Sequence, residues 1–204
     1  MTIPSNRSFT GQDLASLRRL IVCSHAASAK HSWVHLVDTQ SMSPSINGDV
    51  DLLVEWTQLY CFCTGDLIVV SKPELPFLLV HRACRLRSGR YGDEVLQIAD
   101  QFAYGDELSA GWIELQAILG RVICVRFRST GRVVSLDSPP IRHLSQWIAK
   151  LSVQRLTQSQ PETINQRLAS SIETIQHRLV CHVFHVALHF VAYLGFYKSS
   201  TCID

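Results

Sequence analysis

The sequence predicts a mainly β protein with a helical C-terminal region, and three observations carry that expectation. Short runs rich in Val, Ile, Leu and Phe stand at 33–37, 50–55, 66–71, 77–86, 94–99 and 118–128, punctuated by Gly48-Asp49, Gly65-Asp66, Ser88-Gly89 and Gly105-Asp106. Strands joined by tight turns read this way. After Ser138-Pro139-Pro140 the period changes: Ile141, Leu144, Ile148, Leu151 and Leu156 fall near helical spacing, with Arg and Lys between them. Of the 204 residues, 47% are hydrophobic and 18% charged, so the chain can bury a core and is not a disordered one.

In chain order, residues 1–30 read as a polar start and a short helix, and 31–130 as the β unit. Residues 141–178 form a helical region broken by a Gln/Ser-rich stretch at 157–161. Residues 179–197, LVCHVFHVALHFVAYLGFY, are an apolar tail helix without a formal charge, bounded by Arg178 and Lys198. About 20 apolar residues span a bilayer, so the tail is long enough for a membrane anchor. His182, His185 and His189 interrupt it, and imidazoles are costly in hydrocarbon, so a buried or docking helix is the competing expectation. Their spacing of i, i+3 and i+7 puts the three on one helix face, a polar stripe with no carboxylate in the tail to complete a metal site.

Charge and cysteine content narrow the function classes. Lys+Arg 19 against Asp+Glu 17 leaves +2, without the basic excess of a nucleic-acid binder, so no nucleic-acid partner is expected. The 7 Cys are odd in number and mostly lie in apolar runs, which fits small hydrophobic filler in a reducing compartment better than a secreted disulfide scaffold. Cys61 and Cys63, lacking a second pair, read as core filler on a strand. Residues 14–23 carry two Arg and too short an apolar stretch for a signal peptide. The expected location is therefore cytoplasmic, or membrane-associated through 179–197.

The chemistry-bearing stretch is Thr39-Gln40-Ser41-Met42-Ser43-Pro44. A Ser at a strand-to-turn junction is well placed for exposure, Pro44 limits how far the turn relaxes, and Met42 can anchor the loop in the core. Gly65-Asp66 opens the run Leu67-Ile68-Val69-Val70, Val80-His81-Arg82 continues the next, and Gly120-Arg121-Val122 opens the last. In this order and spacing the set resembles the serine peptidases of the signal peptidase I and LexA-like superfamily, over about residues 37–126. The His at position 81 is similar to the endoplasmic-reticulum and archaeal type of signal peptidase, where bacterial-type enzymes and LexA-like repressors have Lys.

The resemblance implies a signal-peptidase-like β catalytic unit with Ser41 as nucleophile and His81 as general base. It implies an acid in the segment Ile98-Ala99-Asp100-Gln101, with Asp106 six residues on. Asp100 is the first choice for orienting His81 and Asp106 the second. Ala99 and Gln101 replace the family's Gly and Asn there, and Gln40 replaces a Gly before the nucleophile. Thr39 keeps the hydroxyl that, with the Ser41 backbone N–H, would form the oxyanion hole.

These residue types suit the chemistry. A Ser hydroxyl needs a neighbouring base to become a nucleophile; neutral imidazole, with a pKa of about 6.5, serves near neutral pH; a carboxylate on the far ring nitrogen fixes its tautomer. Arg82 is assigned no catalytic role, being a surface cation or the partner of an acid. Asp49 and Asp66 read as turn acids bonded to nearby backbone N–H groups.

The expected function is a serine endopeptidase that removes a signal or leader peptide from a precursor. Its substrate would be an extended peptide paired with a sheet edge and cut after a small residue, and no metal or other cofactor is called for. One alternative is a catalytically inactive binding module of the same fold. The other is a LexA-like self-cleaving regulator, which His81 disfavours because that mechanism uses Lys.

Overall fold

The structure is a computed structural model that describes residues 30–36, 41–47, 49–56, 62–72, 75, 77–89, 92–101, 109–157 and 164–194, with 164–170 described as backbone path only. Among the described residues there are eight strands: β1 His31–His35, β2 Val50–Trp56, β3 Leu67–Ser71, β4 Leu78–Gly89, β5 Gly92–Ile98, β6 Ala110–Glu114, β7 Ile118–Phe127 and β8 Val133–Ser135. Two helices follow, α1 Pro139–Thr157 and α2 Ile164–Leu194. The strands form one antiparallel sheet in the order β1-β2-β7-β3-β4-β5-β6, with β8 paired to β7. The chain is thus mainly antiparallel β with two C-terminal helices.

Alternation along β3 shows how the sheet is used. Leu67 and Val69 face the main core, which also holds Ile141 and Ile148 of α1 and Phe184 and Leu188 of α2. Ile68 and Val70 face a second cluster with Ala83, Val95 and Ile118. Covering both faces explains why LIVV is an unbroken apolar run rather than an alternating one. The predicted strands are all present, while β6 and β8 were not anticipated: β6 is an Ala-Gly-Trp-Ile-Glu stretch with a single β-branched residue, and β8 has three residues, too brief for a clear period.

α1 starts where Ser138-Pro139-Pro140 predicts, the Arg142 N–H donating to the Ser138 carbonyl at 2.9 Å; Pro suits a first turn because the missing N–H has no helical partner there. The second helical pattern and the apolar tail are one continuous helix of 31 residues. Val180, Phe184, Leu188 and Ala192 bury one stripe of it in the main core, as i, i+4 spacing dictates. No helix among the described residues is long and apolar enough to cross a membrane.

Two Gly positions noted in the sequence have steric reasons. Gly65 has φ +99°, and a Cβ there would lie 2.8 Å from the Gln146 backbone N, so the turn before β3 docks directly on α1. At Gly120 a Cβ would lie 2.5 Å from the Glu55 carbonyl oxygen, where β7 crosses close to β2.

Candidate functional site

Ser41 opens a turn over 41–46 between β1 and β2 and is half-buried. Met42 and Ile46 are buried in the main core, and the Ile46 N–H donates to the Met42 carbonyl at 2.9 Å. Met42 therefore anchors the loop as expected. The Ser43-Pro44 peptide is cis. At its start the turn is tied to the far end of β5: the Gln101 N–H donates to the Ser41 carbonyl at 3.0 Å.

His81 and Arg82 are consecutive on β4, so their side chains leave opposite faces of the sheet. His81 pairs across with Ile68, and Arg82 with Leu67. His81, on the side of the second cluster, is buried, and its Nδ1 contacts the Oε1 of the fully buried Gln97. Gln97 reaches it because it pairs with Ala83, two residues from His81 on the same face. The direction of this contact depends on the imidazole tautomer: with Nδ1 as the donor, Nε2 is the acceptor end of the ring. The Gln97 Nε2 has no hydrogen-bond partner.

The opposite face holds a buried charged network. Arg82 donates from Nε to Asp100 Oδ1 at 2.9 Å and from Nη2 to Asp100 Oδ2 at 2.7 Å. Its Nη1 donates to the Gly65 carbonyl at 3.2 Å and to Ser145 Oγ, and Ser145 Oγ donates to the same carbonyl at 2.5 Å. The guanidinium carbon lies 5.3 Å from the centroid of the Phe184 ring of α2. Burial works against the Arg82 charge, but the Asp100 carboxylate outweighs it and raises the pKa. Arg82 is thus the partner of an acid rather than a surface cation.

Behind Asp100, its carboxylate, a His177 nitrogen and the Cys181 sulfur lie within 4.8 Å of one another. Arg155 Nη1 donates to His177 Nδ1 at 3.1 Å, and His177 Nε2 in turn donates to Ser152 Oγ at 2.9 Å. Burial lowers the His177 pKa to about 4 and raises that of the Cys181 thiol to about 12. With the carboxylate on Arg82, the imidazole nitrogen on Arg155 and the thiol protonated, this donor set is committed to internal hydrogen bonds; two guanidiniums beside it oppose a cation.

The expectation that Asp100 orients His81 is corrected by this geometry. Asp100 lies two residues beyond Ile98, which pairs with Arg82, so its carboxylate emerges on the Arg82 face, where Arg82 holds it, and Gln97 takes the imidazole contact. Thr39 and Asp106 lie outside the described residues. Asp66 is a turn acid as expected, its Oδ2 accepting from the Cys63 N–H at 2.7 Å; Asp49 instead accepts from Arg128 Nη1 at 3.1 Å. Cys63 is exposed rather than core filler, and Cys61 lies outside the described residues. In the tail, His189 packs on Phe127 with centroids 4.3 Å apart and His185 meets His189 at 4.6 Å.

Gln97, Ser145 and His177 were missed in the sequence. Gln97 carried a usable signal: a lone amide inside the apolar run Val95-Leu96-Gln97-Ile98-Ala99 marks a buried polar group that must find a partner. No family model, no curated protein and no solved structure matches the chain.

Proposed function

We propose that the chain is a serine endopeptidase of the signal-peptidase-like kind, removing a signal or leader peptide from a precursor, with Ser41 as nucleophile and His81 as general base. The observation that carries this reading is the Gln97 contact at His81 Nδ1; in the tautomer with the proton on Nδ1, Nε2 is the proton acceptor a nucleophilic hydroxyl requires. Register puts both near one end of the β4–β5 ladder: His81 stands one step beyond the Arg82–Ile98 pair and the Ser41 carbonyl accepts from the Gln101 N–H just past that end of β5, while the Ser41 turn is anchored through Met42 and Ile46 in the main core, on the Arg82 face. The motif order noted in the sequence supports the family reading.

In the proposed reaction, His81 Nε2 takes the Ser41 proton as Oγ attacks the scissile carbonyl. The resulting imidazolium protonates the leaving amine, and water, activated by the same ring, releases the acyl group. The Ser41 N–H and the Thr39 hydroxyl would hold the oxyanion, a contribution of about 3–4 kcal/mol per donor. An extended substrate would pair with a sheet edge; β1 and β6 end the strand order.

One observation favours the inactive binding module instead: Asp100, the expected carboxylate of a triad, is held at both oxygens by Arg82. The two readings separate with a serine-reactive acylating probe and a precursor-processing assay. The peptidase reading expects labelling of the wild type, none of Ser41→Ala, and loss of processing in Ser41→Ala and His81→Ala. Unlabelled wild type, or processing that survives both substitutions, leaves the binding module.

A further inference from the structure

We propose that the outward face of α2 docks on a membrane surface containing anionic lipid, with the helix lying in the headgroup plane rather than crossing. The inference stands on the helix surface alone and is independent of the peptidase reading.

α2 has two apolar faces. One, through Val180, Phe184, Leu188 and Ala192, is buried in the main core. The other, through Leu179, Val183, Val186, Phe190 and Tyr193, is 45–72% exposed although it is rich in large side chains. Ile172, Ile175 and Leu194 extend it, giving a strip about 33 Å long at ~1.5 Å per residue. Soluble monomers rarely leave so extended an apolar strip bare, and such strips mark interaction surfaces.

Charge identifies the occupant. Residues 179–194 contain no Asp, Glu, Lys or Arg. Along one flank, at helical spacing, run Arg178, His182 and His189, all exposed. Arg132, from the turn between β7 and β8, adds to that side, its guanidinium 5.2 Å from the Tyr193 ring centroid. An apolar strip with an aromatic residue, flanked by the guanidiniums of Arg178 and Arg132, is the pattern of a helix that buries one face at the acyl boundary and sets its cations against lipid phosphates. A second copy of the helix fits less well, because a two-fold contact would present the same arginines and, over the whole strip 172–194, a single acid, Glu173, to meet them.

The test is flotation of the full chain with vesicles of phosphatidylcholine alone and of an equal mixture of phosphatidylcholine and phosphatidylglycerol. The expected result is binding to the mixed vesicles that weakens in high salt. Val186→Glu with Phe190→Glu should reduce it at least tenfold without changing the thermal melting temperature, and Arg132→Gln and Arg178→Gln should each reduce it roughly fivefold. Should the double variant fold poorly, Leu179→Gln, at an equally exposed position, should still weaken binding severalfold. Wild type that stays free of the mixed vesicles overturns the proposal, as does undiminished flotation of a folded Glu or Gln variant. A dimer in sedimentation velocity that the double variant dissolves, without vesicle binding, would make a second copy the occupant and equally overturn it.

Discussion

Arg82 grips both oxygens of Asp100, at 2.9 and 2.7 Å, on the face of β4 opposite His81. Both side chains of the pair are fully buried, so neither can be removed without stranding the other. The guanidinium also holds Gly65 and Ser145, joining the turn before β3 to α1. The next residue after Asp100 holds the Ser41 turn. The pair is thus a structural support under the candidate site.

Replacing Asp100 by Asn leaves Arg82 buried and uncompensated, which should cost about 3–5 kcal/mol in urea unfolding. On the peptidase reading, kcat per folded molecule should fall by less than about tenfold, because Gln97 contacts the base. A loss approaching the ~10⁴-fold seen when a base-orienting carboxylate is replaced would return that role to Asp100.

Gln97→Leu removes the acceptor from His81 Nδ1 and frees the ring to take the other tautomer. Leaving that N–H unpaired should cost about 1–3 kcal/mol. It should also lower kcat by about 10–100-fold with KM unchanged, part of the ~10²–10⁴ that a general base supplies. Gln97→Glu restores an acceptor and places a carboxylate beside the imidazole, which favours the imidazolium, so the acidic limb of the kcat/KM profile should move to higher pH. An unaltered profile and unaltered kcat in both variants would remove Gln97 from the mechanism.

His177 provides a pH dependence of stability. Its pKa is lowered by burial from 6.5 to about 4, so between those values the unfolded chain binds a proton that the folded chain does not. Stability should therefore be full above pH 6.5 and fall as the pH drops towards 4, by on the order of 3 kcal/mol in all, then level off with respect to this group. Urea midpoints across that window should show the slope in the wild type, and His177→Gln should flatten it. An equal slope in the variant would assign the effect elsewhere.

The strands and helices were largely legible because their signals are local. β3 announces itself as Leu67-Ile68-Val69-Val70 after a Gly-Asp turn, and α1 by its period after two prolines. The anchoring of Met42 was legible too, since an aliphatic residue beside a polar one in a tight turn has few places to go. β8 escaped because three residues cannot display a period, and the join of the second helical pattern to the tail escaped because the apolar stripe alone did not reveal its continuity.

By itself the sequence determined that His81 and Arg82 face opposite ways, since alternation along a strand is a property of the backbone. It also determined that α2 has more apolar surface than one core contact uses. Tertiary structure decided which carboxylate meets which base. The β4–β5 register, with its bulge between Ala83 and Arg85, brings Gln97 beneath His81 and sends Asp100 to Arg82. Pairings between residues 16 and 18 positions apart depend on how two strands slide past each other, and a shift of one residue would exchange the two faces.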